Sequence, residues 1–321
     1  MSNYTILFHG NCIDGWFSAF IAYLKLSQTG IVKMHPVAPT GAGVPPMREI
    51  KDTHILMVDV SFDLGQRQKW MKAGALSVEC IDHHATSKDH WPSDGNPIHV
   101  ESCAALQVFR HFFPEEAVPF WLNTIDRIDR WDNPTEEDRC IREVLNVLAH
   151  KPVQDKRMIE SVIDETKDWM AAMATPEGIT ANVQKGYAIL KKKDAELCQI
   201  LTRGTFLTIG FEHASAWNLP NSWLGANVYL IDNTDVLIDT TEASHVVFTN
   251  YPGVNVFINY RRKTFLTKEG GMAVEKSTIV YYARSRDFNL TEGTILRGHP
   301  TAAGATLIRG EAPILPFLLT A

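Results

Sequence analysis

Apolar residues near the start of the chain fall in short runs, and each run stops at polar chemistry. Tyr4 to Phe8 ends at His9, His54 to Ser61 carries Asp59 near its end, and Ala75 to Ile81 leads straight into Asp82-His83-His84. Runs without clear alternation are what strands buried on both faces of a sheet require. Between them, Phe17, Phe20, Ile21 and Leu24 recur at helical spacing over Trp16 to Leu26, and another helix begins near Leu64. Ala38 to Pro46, with three prolines and two glycines, reads as a loop. Two amphipathic helices follow, Ser102 to Phe113 and Ala117 to Ile128. From about Asp155 to Arg203 the pattern is helical and charged. It turns to strands at Phe206–Ile209, Val228–Ile231, Val246–Thr249, Val254–Asn259 and Ser277–Ala283. Near the end, Arg297-Gly298-His299-Pro300 reads as a turn opening into a small-residue helix at Thr301-Ala302-Ala303-Gly304. The pattern predicts an α/β protein: an amino-terminal parallel-sheet domain over 1–150, a helical linker over 151–204 and a smaller carboxyl-terminal α/β domain over 205–321.

Composition changes this picture little. At 321 residues, two domains are expected, and 45% hydrophobic with 21% charged residues is ordinary for a soluble globular chain. The formal charge of −6 argues against coating long duplex nucleic acid, which calls for a basic stripe. A short phosphorylated substrate, neutralised locally by metal and a few arginines, stays compatible. Five scattered cysteines without a CxxC pair point to a reducing compartment. No apolar stretch approaches about 20 residues, and Met1 to Phe8 lacks a basic leader region, so no membrane span or signal peptide is expected and the location expected is cytoplasmic.

The candidate chemistry sits where the runs stop. In an open parallel sheet, ligands bind at the carboxyl ends of the strands. His9 and Asp14, Asp59, and Asp82 with His83 and His84 would all be delivered to that edge. Two imidazoles and a carboxylate suit a borderline divalent cation. Consecutive histidines on a strand point to opposite faces, so they share a site only if the chain is already turning. Each residue also has a plainer reading: His9 as a loop histidine, Asp14 or Asp59 as a helix cap, and Asp126 and Asp129 as partners of Arg127 and Arg130. Lys191-Lys192-Lys193 reads as a solvated face. The Gly298-His299-Pro300 stretch offers either an anion site at a helix N-terminus or a set of close-packing residues.

Together these stretches resemble the DHH phosphoesterase superfamily over nearly the whole chain. His9 through Asp14-Gly15, Val58-Asp59, Asp82-His83-His84 and the Asp126 region are similar to its amino-domain motifs, and Gly298 to Gly304 is similar to the glycine-histidine signature of the DHH-associated C-terminal domain. The resemblance implies a second domain closing over a cleft, and a hydrolase that works with two manganese ions, Mg2+ or Co2+ standing in. His9, Asp14, Asp59, His83 and Asp126 look like the metal ligands, with Asp59 bridging and Asp82 binding or orienting; Asp129 competes with Asp126. His84 would contact the scissile phosphate, and Arg284, Arg286, Arg297, Gly298 and His299 would serve the substrate. The chain departs from the family at Cys12, where an Asp is common, and at Arg297, where a Gly is expected. The relatives are nanoRNases, exonucleases, cyclic-dinucleotide phosphodiesterases, exopolyphosphatases and family II pyrophosphatases. The expected substrate is a short oligonucleotide or cyclic dinucleotide, with inorganic polyphosphate as the alternative enzyme reading and a binding module without activity as a third. A homodimer is compatible with the resemblance.

Overall fold

The computed structural model describes residues 2–84, 87, 100–130, 132, 134–154, 159–216, 221–234, 238, 240–269, 272–286, 290, 297–299 and 302–308. For 153–154, 213–214, 216, 262–269, 272–278, 297–299 and 302–308 only the backbone is described. Two compact units divide the chain, Met1–Lys191 and Lys192–Ala321.

The first unit runs β1 (Ser2–His9), α1 (Ile13–Leu26), β2 (Gly30–Val37), the single turn α2 (Met47–Ile50), β3 (His54–Val58), α3 (Leu64–Lys72) and β4 (Ser77–Ile81). Then come α4 (Ala104–Phe112), α5 (Phe120–Arg130), α6 (Glu136–Gln154), α7 (Ile159–Ala172) and α8 (Pro176–Leu201), which runs through the division between units. The sheet has the order β2-β1-β3-β4 and every pairing is parallel. Alternate residues feed opposite cores, as strand geometry demands. Ile6 and Phe8 of β1 and Leu56 and Val58 of β3 join Trp16, Phe17 and Phe20 of α1 on one face. Leu7, Ile55 and Met57 join Trp70 and Ile50 on the other. That two-sided burial is why β1 and β3 read as continuous apolar runs.

Strand β2 was not expected. It is an edge strand, half-exposed at alternate positions, and it carries Pro36, a residue that sheets accept at their edges. The helices beyond residue 150 also differ from expectation. Val162, Ile163 and Trp169 of α7 belong to the same core as α1, and Trp16 Nε1 donates to Thr166 Oγ1 at 3.1 Å. Up to Lys191 the helical segment is therefore part of the first unit rather than a separate linker.

The second unit contains β5 (Thr205–Thr208), the short α9 (Phe211–Ala216), β6 (Asn227–Asp232), α10 (Thr240–Asn250), β7 (Val256–Glu269), β8 (Met272–Ser285), β9 (Arg297–His299) and β10 (Ala302–Ile308). Its mixed sheet has the order β5-β6-β7-β8-β10-β9. Two expectations are corrected here. Val246 to Thr249 is the end of helix α10, because Ala243 and Val247, four residues apart, are both fully buried on one helical face. Ala302 to Gly304 is the start of strand β10, paired antiparallel to both β8 and β9, and not a helix. Small residues at these positions sit between two neighbouring strands, so no helix N-terminus is available there for an anion. Among the described residues no helix is long and apolar enough to cross a membrane.

Candidate metal centre

The site begins with how α4 is held. A helix start leaves amide hydrogens without partners and carries a partial positive charge. In α4 these amides are met by carboxylates from distant elements. Asp14, in the first turn of α1 and fully buried, accepts from Ala104 N at 2.8 Å and Ala105 N at 2.7 Å. Asp126 of α5 accepts from Cys103 N at 2.6 Å and from Arg130 Nε and Nη2 at 3.1 and 2.9 Å. Asp14 thus caps a helix, but not its own.

Gly15 makes the junction between β1 and α1 tight enough for this. A Cβ at Gly15 would lie 2.2 Å from the His9 carbonyl oxygen. Gly15→Ala is expected to push α1 off the end of β1, destabilising the unit by about 1–3 kcal/mol and weakening divalent-cation binding at the same time. Urea unfolding of the metal-free protein, together with metal titration, measures both effects.

Asp59 lies just past β3 with φ at +56°, in a region that Asp and Asn enter far more readily than most side chains. Its amide continues the ladder to the Ile81 carbonyl at 3.1 Å. Its carboxylate is 1% exposed, yet neither oxygen has a hydrogen-bond partner among the described residues. His9 Nδ1 stands 3.4 Å from one oxygen and His83 Nε2 3.3 Å from the other, neither with hydrogen-bond alignment. The helix-cap reading of Asp59 fails because Asp63 caps α3, accepting from Gln66 N at 2.8 Å.

His83 Nε2 is the hub of the cluster. Besides Asp59, it lies 3.3 Å from Asp129 Oδ2 and 3.6 Å from Asp14 Oδ2. His84 turns the other way: its Nδ1 lies 2.7 Å from Asp82 Oδ1, and its side chain is 46% exposed. The buried Asp82 also accepts from His83 N at 2.8 Å and from the Ser87 hydroxyl, which in turn accepts from Ser61 Oγ at 2.6 Å. Ser61 and Ser87 had no signal in the sequence; their role depends on a fold-over of the chain after β4.

The structure brings His9, Asp14, Asp59, Asp82, His83 and His84 together and sets Asp126 apart. Asp129, one helical turn further along α5, reaches the cluster, while Asp126 is committed to Cys103 N and Arg130. Among the described residues, three overlapping groups have ligand atoms within 4.8 Å of one another: Asp59, Asp82, His83 and His84; His9, Cys12 and Asp59; and Asp14, His83 and Asp129.

The electrostatics ask for a cation. Burial pushes the Asp14 and Asp129 carboxyls up, Asp129 to about 6, and in both the Asp59 charge adds to the rise. Burial would also raise Asp59, but His83 and His9 beside it prevail and hold it well below the usual carboxylate range. Burial opposes charge on His83, yet the surrounding Asp59, Asp14 and Asp129 push it up to about 10. A charged His83 stabilises the metal-free fold fully below the ordinary imidazole pKa, and that stabilisation is lost as pH rises through about 10. A ligating imidazole must be neutral, so cation binding has to displace that proton. Any rise in unfolding temperature on adding a divalent cation is therefore expected to grow between pH 6 and pH 8, at up to about 1.4 kcal/mol per pH unit for each proton displaced. A shift independent of pH would contradict this arrangement. The Cys12 thiol, beside the same carboxylates, is likewise raised by burial first and then by Asp59, Asp129 and Asp14.

The residues expected to serve the substrate lie in the second unit. Arg284 Nη2 donates to Thr241 Oγ1 at 2.6 Å. Arg284, Ala302 and His299 pair in register across β8, β10 and β9. The Arg286 guanidinium donates to the Phe248 carbonyl at the end of α10 and stacks 4.9 Å from the Phe248 ring. The strand register places the backbones of Arg297, Gly298 and His299; their side chains lie outside the described residues.

No protein-family model and no curated protein matches the chain. Among solved structures it is similar to the exonuclease RecJ bound to manganese, with 14% identity over 95% of this chain and 86% of that one, at a TM-score of 0.39. It is also similar to RecJ in complex with Mn2+ from Thermus thermophilus, with 14% identity over 95% of this chain and a TM-score of 0.37. The match spans about half of that second protein, 49% of its length.

Proposed function

We propose that the chain is a metal-dependent phosphoesterase of the DHH superfamily, using a pair of manganese ions to hydrolyse short oligonucleotides or cyclic dinucleotides to mononucleotides. The observation that carries this reading is Asp59: a carboxylate 1% exposed, with both oxygens unpartnered among the described residues, facing imidazoles on either side. A buried carboxylate without hydrogen bonds is costly, and metal coordination is one of the ways in which folded proteins keep one. The set fits a divalent cation in kind as well as in place, since His9, His83, Asp14, Asp59 and Asp129 supply neutral nitrogen and anionic oxygen.

When bound, such cations supply an acidified water and neutralise phosphate charge. The protein's own groups do the rest. Asp82 occupies Nδ1 of His84 and so leaves Nε2 as its free nitrogen. Burial would lower the His84 pKa, but Asp82 and Asp59 raise it, which favours the charged ring and an Nε2–H to donate to a phosphate oxygen. Ser87 and the His83 amide fix Asp82 in turn. Arg284 and His299, at one register level of the second unit's sheet, would bind the substrate's phosphates. Five free cysteines accord with a cytoplasmic location for such an enzyme.

The test is a panel of substrates incubated with Mn2+. Mononucleotide release from a dinucleotide or a cyclic dinucleotide is the expected result. Phosphate release from polyphosphate, with every diester left intact, would overturn the substrate assignment.

A further inference from the structure

We propose that Cys12 is a metal ligand, and that it divides the centre into two chemically unlike positions. This deepens the metal-centre reading above and rests on it. Cys12, His9 and Asp59 bring sulfur, nitrogen and oxygen donors within 4.8 Å of one another. The group is anchored by the two observations already made on Asp59 and by a third: His9 Nδ1 is buried without a hydrogen-bond partner among the described residues. Cys12 itself occupies the N-cap of α1, where Ser, Thr, Asp or Asn would satisfy a helix amide, and its side chain caps nothing. The residue forgoes a capping hydrogen bond at a position whose sulfur lies within 4.8 Å of ligand atoms of His9 and Asp59.

The second group, Asp14, His83 and Asp129, has only nitrogen and oxygen donors. Thiolate selects softer and borderline cations, whereas carboxylate-rich sets accept manganese and magnesium. Three protein ligands of the Cys-His-carboxylate kind are also the number that leaves a further position open on zinc or cobalt. The Cys12 position is thus a site for a borderline divalent cation such as Zn2+ or Co2+ and prefers it to Mn2+; Mn2+ fills both positions only when it is the cation supplied.

Cobalt reports this directly, because a thiolate ligand gives a near-ultraviolet charge-transfer band that nitrogen and oxygen donors do not. The experiment uses the full chain carrying Cys198→Ser, which removes the exposed cysteine, with and without Cys12→Ser. Serine is favoured at an N-cap, so the second variant retains the helix. The band is expected to grow as cobalt is added to Cys198→Ser, and to vanish in the double variant while the visible cobalt bands of the second position remain. Zinc-manganese competition by equilibrium dialysis should show at least a tenfold loss of zinc preference in the double variant. Cobalt bound with its visible bands but with no charge-transfer band, or a band unchanged by Cys12→Ser, overturns the role of Cys12 and leaves the metal centre standing. Dialysed protein that retains neither cobalt nor manganese overturns both.

Discussion

A chain carrying Asp59→Asn gains no thermal stability from manganese, and its metal-free form unfolds a few degrees below the wild type because the anion paired with His83 and His9 is gone. At a hundredfold excess of free Mn2+ over Kd, binding should add about 2.7 kcal/mol to the wild type, or about 5–10 °C for a unit of this size. Asn keeps the volume of Asp and its ease at φ +56°, so the turn after β3 survives. What it removes is the anion that faces both His9 and His83. In the metal-free state it also removes the charge that favours a protonated His83, so part of the loss is seen in EDTA and the remainder only with manganese. Metal affinity should fall by more than about 100-fold, beyond the loss typical of a residue that only supports a ligand. Thermal unfolding with EDTA and with Mn2+ separates the two effects. A manganese shift as large as that of the wild type would remove Asp59 from the centre and, with it, the observation on which the function rests.

Burial geometry explains which parts of this fold could be read from the sequence. Strands β1 and β3 are buried on both faces, so their apolar runs are legible without neighbours. Strand β2 is an edge strand with Lys33, His35 and Pro36 among its eight residues, and its pattern has no simple period. In α10, Val246-Val247-Phe248-Thr249 looks like a strand in isolation, and only Glu242 and Ala243, buried one turn earlier, restore the helical period. Strand β10 is held by β8 and β9 on its two sides, a tertiary condition that Ala302-Ala303-Gly304 does not announce.

The site shows the same division. Residues at strand ends are legible because topology alone delivers them to one edge: His9 as the last residue of β1, Asp59 after β3 and Asp82 to His84 after β4. Asp126 and Asp129 are one turn apart on α5 and occupy the same face, so periodicity cannot choose between them. The available signal was Arg130, four residues after Asp126, which marks Asp126 as the partner in an i,i+4 ion pair. The backbone amides of α4 that complete the surroundings of Asp14 and Asp126 carry no sequence signature.

Asp14→Ala is expected to weaken the fold with or without metal, by about 2–4 kcal/mol, because it strips the buried amides of Ala104 and Ala105 of their only carboxylate partner. The expected loss sits in that range rather than above it for a reason visible in the cluster. Burial and the nearby charges of Asp59 and Asp129 already disfavour the Asp14 anion, so removing it relieves repulsion as well as breaking two hydrogen bonds. Asp14→Asn should cost less, since its carbonyl oxygen still serves one amide while its NH2 faces the other donor. The measurement is the urea midpoint at unchanged slope, in EDTA and in Mn2+. In EDTA the midpoint of Asp14→Ala should fall well below that of Asp59→Asn, although both side chains are fully buried acids a few ångströms from the same imidazole. One carboxylate is held by the amides of the helix it caps and the other by its charge pairing with His9 and His83. Equal midpoints for the two variants in EDTA would mean that the capping of α4 contributes no more stability than the charge pairing of Asp59 with His9 and His83.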